Sequence, residues 1–213
     1  MNKTLKTLFI LLFGIFFTFA FAGCSNSNIT NNTSDTKQDN STTSEIETNP
    51  KKTDNSNSIV VYFSRTNNTE KIANYIIALT ESDSYEILAK VPYTDEDINY
   101  NNSNSRTSIE QNDPTARPEI GSEDIDLSNY DVIYLGYPIW WGQAPKIMYT
   151  FVEKYDLSSK TIIPFCTSAS SGIGSSATNL ANSATNATWL SGKRFSASST
   201  KDEVKSWLDS LNY

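Results

Sequence analysis

A doubly wound α/β domain built on a parallel sheet is the fold class this sequence predicts, and three observations predict it. Three apolar runs, residues 59–63, 132–135 and 162–166, each stop abruptly at a small polar residue: Ser64, Gly136 and Thr167. Runs without polar alternation belong to strands buried on both faces, as in a sheet covered by helices. Helical patterns lie between the runs, and that alternation implies parallel crossovers. The span that holds them, 58–213, is about the size of one ordinary domain.

Taken in order, the first run is IVVYF at 59–63 and the first helix covers 70–79, with Ile72, Ala73, Ile76 and Ile77 inward. Residues 85–88 read as a weaker second strand. A long polar connection, 92–129, follows, with a helix expected near 97–110. After the 132–135 strand comes a helix over 145–155, with Ile147, Met148, Phe151 and Val152 inward and Pro145 at its start, where a missing N–H costs nothing. In the 162–166 strand Pro164 cannot donate to a ladder, so a bulge or a free edge is required there. A short helix, a weak fifth strand at 188–190 and a last helix at 201–211 complete the order.

Composition removes several mechanisms. The chain of 213 residues has no His, two Cys and 17 Lys+Arg against 24 Asp+Glu. Without His, catalytic triads of the usual form and imidazole-bound zinc are excluded. Two cysteines build no disulfide framework, and the acidic balance argues against a nucleic-acid partner. A cofactor must supply any hard chemistry.

The N-terminal residues read as targeting. Lys3 and Lys6 precede an apolar run over 8–22, too short for a comfortable span. It ends in Phe21-Ala22-Gly23-Cys24, which resembles the lipobox of bacterial lipoproteins, with Phe21 in place of the usual Leu. The resemblance implies a signal peptide, 1–23, and diacylation of Cys24; an uncleaved anchor is the alternative. Both tether the chain to the membrane, outside the cytoplasm. From 25 to 57, 21 of 33 residues are Ser, Asn or Thr, so 24–57 reads as a flexible tether.

In a doubly wound fold, ligands bind outside the carboxyl ends of the strands, where strand order reverses. Three segments lie there. Ser64-Arg65-Thr66-Asn67-Asn68-Thr69 is dense in hydroxyls and amides and opens a helix. It either cradles an anion on unpaired amides or simply caps the helix through Asn68 or Thr69. Pro138-Ile139-Trp140-Trp141-Gly142 carries adjacent indoles that cannot both face one core, and a flat ligand is a reason to expose one. Thr167 through Gly172 and Gly174 is a run of small residues whose amides can approach a ring edge.

Together, Tyr62 through Thr69, Tyr137 through Gly142, and Pro164 through Ser168 with Ser171-Gly172-Ile173-Gly174 resemble the flavodoxin-like family of short FMN proteins, over essentially all of 58–213. The resemblance implies five parallel strands in the order 2-1-3-4-5 and FMN as cofactor. It further implies Ser64, Thr66, Asn67, Asn68 and Thr69 around the phosphate. Pro138, Ile139, Trp140, Trp141 and Gly142 would form one flavin wall, and Thr167, Ser168, Gly172 and Gly174 the other. Asn67 stands where the family usually has Gly, and Ala169 and Ser170 where it often has glycines. The expected function is transfer of electrons or hydride through flavin N5 to a small-molecule or protein redox partner at the outer membrane face. The rival is a fold of this kind that has lost FMN and binds another ligand with the Trp pair. A hydrolase using Cys166 or Ser168 lacks a base.

Overall fold

The computed structural model describes residues 57–213; the signal peptide, Cys24 and the tether expected from the sequence lie outside the described residues. The element order is β1 (Ser58–Tyr62), α1 (Asn68–Thr80), β2 (Asp83–Glu86), α2 (Arg106–Asn112), β3 (Val132–Pro138), α3 (Lys146–Lys154), β4 (Thr161–Thr167), α4 (Ser176–Ala181), β5 (Thr188–Trp189), β6 (Lys193–Phe195) and α5 (Lys201–Asp209).

The sheet is parallel throughout, in the order β2-β1-β3-β4-β5, with β6 also pairing β4. Alternate residues of each central strand serve different layers. Val60, Tyr62, Val132, Tyr134, Ile163 and Phe165 pack under α1 and α5 with Ile72, Ile76, Val204 and Trp207. Ile59, Val61, Ile133, Leu135, Ile162 and Cys166 face α3 and α4 with Ile147, Met148, Phe151 and Leu180. Both faces are thereby buried, which is why the strands read as unbroken apolar runs. Each fully buried Ile or Leu contributes on the order of 1.5–3 kcal/mol. The last helix starts on a capping box: Thr200 Oγ1 accepts from the Glu203 N–H while Glu203 Oε2 accepts from the Thr200 N–H.

The fifth strand differs from expectation because it is split in two. Both β5 and β6 run along β4, and they are separated opposite Pro164. Ile162 O accepts from Leu190 N at 2.9 Å, so the Ile162 backbone faces this edge. Residues two apart in a strand point the same way, and the ring nitrogen of Pro164 therefore faces the gap. Gly192 fits there because a Cβ would lie 2.7 Å from Pro164 O. The bulge that Pro164 requires is this interruption.

The third strand outruns its apolar run. β3 continues through Gly136 and Tyr137 to Pro138, which the sequence reading places in a loop. It does so because the ring of Phe165 lies across Gly136, where a Cβ would approach it to 2.2 Å. Gly136→Ala is accordingly expected to destabilise the domain by about 1–3 kcal/mol, the usual cost of overpacking, which a urea melt would read as a fall in midpoint at constant slope. The helix expected near 97–110 shrinks to α2. Its first half is broken by Asn-directed turns: Asn101 N–H donates to Asn99 Oδ1 at 3.0 Å and Asn104 N–H to Asn102 Oδ1 at 2.9 Å.

Candidate functional site

β1 sends its crossover to β2 on one side while β3 pairs on the other, so strand order reverses between the carboxyl ends of β1 and β3. The crevice at such a point is where this fold class takes ligands. The three segments singled out in the sequence all emerge there, from β1, β3 and β4.

The first segment turns through Asn67, which sits in the left-handed region (φ 61°) as the N-cap of α1 and makes no side-chain cap bond. Asn tolerates that conformation better than most residues other than Gly, which explains how it stands in a glycine's place. The first helical bond is Lys71 N to Asn67 O at 3.0 Å. The amides of Asn68, Thr69 and Glu70 therefore have no hydrogen-bond partner among the described residues. Capping by Asn68 or Thr69 does not occur: Asn68 Nδ2 donates to Thr66 Oγ1 at 3.1 Å, and Thr69 Oγ1 pairs with Thr167 Oγ1 at 2.7 Å. The Thr69–Thr167 contact is buried and stitches the first segment to the third. Ser64 Oγ is also buried, and it has no partner among the described residues. Arg65 points elsewhere, donating from Nε to Tyr93 O at 2.5 Å and pairing with Asp95 at 2.7 Å.

In the second segment Trp140 and Gln143 exchange two backbone hydrogen bonds of 2.9 Å, which closes a hairpin tipped by Trp141 and Gly142. Both tip residues have positive φ, 48° and 74°, the signature of a type I′ turn. A bulky residue in that region is a genuine outlier, and such strain gathers at ligand sites. The two indoles diverge. Trp140 is 6% exposed and meets Phe63 and Tyr93 edge-on at 5.5 and 5.1 Å. Trp141 is half-buried and stacks on Tyr100 at 4.2 Å and 27°. Ile139 N–H is held by Thr167 O at 2.9 Å, which locks the hairpin base to β4.

The third segment leaves β4 at Thr167. Ser168 N–H donates to Phe195 O at 3.2 Å, and Ser168 Oγ donates to Ser171 O. A Cβ on Gly172 would meet only Gly174 N, at 4.0 Å, and Gly174 takes a positive φ of 50°. Cys166 lies under this turn, wholly buried, and burial pushes its thiol up to about 12. Burial disfavours the thiolate of Cys166, and among the described residues no base lies beside Ser168.

The connection after β2 braces the second segment. Gln111 Nε2 on α2 donates to Trp140 O at 2.9 Å and Ala144 O at 3.2 Å. Arg106 lies 3.9 Å over the Tyr93 ring and pairs with Glu110 at 2.7 Å, and Glu110 also accepts from Tyr93 at 2.8 Å. Tyr93, held this way, fixes Trp140. Neither Gln111 nor Arg194, a β6 residue that contacts the third segment, was legible from motif spacing. Phe195, a lone aromatic in a polar stretch, is the one sequence signal that points to β6, and nothing local points to Arg194.

The fold and the reversal-point crevice define a doubly wound domain of the flavodoxin class. The sequence profile of the family described as Flavodoxin matches residues 57–211, and the chain belongs to that family. Among solved structures it is similar to a Bacteroides eggerthii protein assigned as a flavoprotein, with 41% identity, 73% of this chain and 97% of that chain covered, and a TM-score of 0.69. A Bacteroides uniformis protein, likewise assigned, shares 35% identity over 72% of this chain and 97% of its own, also with a TM-score of 0.69. The fold alone is shared with a Lactobacillus acidophilus flavoprotein solved in complex with FMN, at 22% identity, 72% and 99% coverage and a TM-score of 0.53. No curated protein sequence matches the chain.

Proposed function

We propose that this domain binds FMN in the crevice between β1, β3 and β4 and serves as a membrane-tethered redox protein. The observation that carries the reading is Ser64 Oγ, a buried hydroxyl with no partner, lying at the start of a loop that leads into three unpaired helix amides. Buried polar atoms are almost always bonded, so an orphan at a helix N-terminus fits a phosphate that completes it. The residues fit the rest of the group as well. Trp141 offers an accessible indole, and the small residues of the third segment leave its backbone open to a ring edge.

In this reading Ser64, Thr66, Asn67 and the amides of Asn68 and Thr69 hold the phosphate, while the Thr69 side chain fixes Thr167 instead. Pro138, Ile139, Trp140, Trp141 and Gly142 form one wall, where Trp141 makes the contact and Trp140 supports it. Thr167, Ser168, Gly172 and Gly174 belong to the other. When bound, FMN supplies the redox chemistry, accepting hydride or electrons at N5; the protein binds it, orients it and sets its electrostatics. Without Lys3 and Lys6 the balance is 15 Lys+Arg minus 24 Asp+Glu, or −9. An acidic surface of that size disfavours the anionic reduced flavin and steers a basic partner. The lipid anchor at Cys24 and the outer membrane face are part of the same proposal, supported by the lipobox resemblance. Mass analysis of the protein from its native membrane is expected to show Cys24 diacylated, and an unmodified Cys24 would remove the anchor from the reading.

A binding module without FMN has one observation in its favour, since Tyr100 already stacks on one face of Trp141. Uptake decides. The chain from residue 25, refolded with FMN, is expected to turn yellow with quenched flavin fluorescence and to bind FMN at least about tenfold more tightly than riboflavin, the equivalent of one hydrogen bond to a charged group. No uptake at high micromolar FMN favours the module.

A further inference from the structure

We infer that Arg194 is a positioning residue for the turn after β4, holding its peptide donors toward the cofactor site and placing a positive charge beside it. Arg194 sits on β6 opposite Cys166 and is half-buried. Its Nε donates to Ser168 Oγ at 3.1 Å, and its Nη2 to Ser168 O at 2.7 Å and Ala169 O at 2.5 Å. Ser168 Oγ in turn donates to Ser171 O, so one guanidinium ties the turn together from the side.

The consequence for the backbone follows from peptide geometry. In a trans peptide the C=O and N–H point in opposite directions. The carbonyls of Ser168 and Ala169 are drawn to Arg194 on β6, so the N–H groups of Ala169 and Ser170 turn the other way. They point away from the guanidinium, in a turn that leaves the carboxyl end of β4 next to β3 and its Trp hairpin. Neither amide donates a hydrogen bond among the described residues. Two donors are left free beside the crevice by a side chain that holds the opposite ends of their peptides.

The charge is equally distinctive. Among the described residues, Arg65, Arg106 and Arg117 each pair with a carboxylate, Asp95, Glu110 and Glu153, whereas Arg194 has only neutral oxygens around it. Its field is not cancelled locally and falls on the turn it holds. An unpaired cation there favours the electron-rich form of a bound flavin and works against the acidic surface. This second half rests on the FMN reading; the clamp itself does not. Lys cannot replace the fork, since it offers a point charge without fixed donors.

The test uses residues 25–213, with Arg194→Ala, Arg194→Gln and Arg194→Lys. The flavodoxin unit folds without further domains, because the Bacteroides eggerthii chain, 97% covered, is this unit and little more. In the protein without FMN, amide order parameters at 168–171 are expected near 0.85 in the wild type and below about 0.6 in all three variants. Those of β1 and α5 should not change. With FMN bound, Arg194→Ala and Arg194→Gln are expected to lose about tenfold in the preference for reduced over oxidised flavin, about 30 mV for a two-electron couple, while Arg194→Lys keeps most of it. Order parameters unchanged in Arg194→Ala overturn the positioning role. A loosened turn with an unchanged potential overturns the role of the charge. If the wild type takes up no FMN, the FMN reading fails, and loosening at 168–171 still supports the clamp.

Discussion

Trp140→Ala and Trp141→Ala are expected to fail in opposite ways. Trp140 is buried among Phe63, Tyr93 and the base of the hairpin, and its carbonyl receives Gln111 Nε2. Truncating it opens a cavity in the larger core and removes two edge-to-face contacts, so the apo domain should lose about 3–5 kcal/mol. A domain of this size then melts on the order of 10 °C lower. Trp141 stands at the hairpin tip with φ 48°, in a turn that prefers Gly or Asn. Alanine keeps the Cβ and with it the strain of the positive φ, so the variant gives up little beyond the stack on Tyr100, and apo stability should fall by no more than about 1 kcal/mol. FMN affinity should instead fall by roughly 1–3 kcal/mol, as when an aromatic platform is removed from under a stacked base. Apo thermal melts and fluorescence titration of both variants separate the two roles. If Trp141→Ala leaves FMN affinity unchanged, the hairpin does not form a flavin wall.

The central strands and the three segments at their carboxyl ends were legible because local signals and tertiary role coincide. Residues 59–63 and 162–166 are apolar since helices cover both faces, and they stop where the sheet opens to the crevice. The divergence of Trp140 and Trp141 was legible for a similar reason, because neighbours at a turn cannot share a face. Other features depend on partners distant in sequence. Thr69 pairs with Thr167 across 98 positions, and no pattern around either residue announces it. β6 has three residues and owes its place to the gap opposite Pro164; the proline was visible, but not which neighbour would yield. β2 lies two residues earlier than its apolar pair suggests, because an edge strand of sequence DSYE needs no buried alternation. Ser64 appears as one hydroxyl among many in the sequence, and only burial makes it exceptional.

Ser64→Ala is expected to split the two functions of the first loop, and the split has opposite signs. In the apo protein Ser64 Oγ is buried without a partner, so folding strips it of water and returns nothing. A buried hydroxyl in that condition costs about 1–3 kcal/mol, and the alanine variant should be as stable as the wild type or more so. The FMN complex should behave in the reverse manner. A hydroxyl bonded to a charged phosphate oxygen is worth about 1.5–3 kcal/mol, so Ser64→Ala should weaken FMN binding by roughly 10- to 150-fold. Riboflavin, which has no phosphate, should bind both proteins alike. Most substitutions at a buried position weaken folding and binding together; a variant that keeps or gains apo stability while losing FMN alone therefore points to the phosphate. Urea melts of the apo proteins, set beside FMN and riboflavin titrations of each, measure all the terms. Equal losses for the two flavins would place the phosphate away from Ser64. A less stable apo variant would mean that the hydroxyl has a partner in the folded protein before any cofactor arrives.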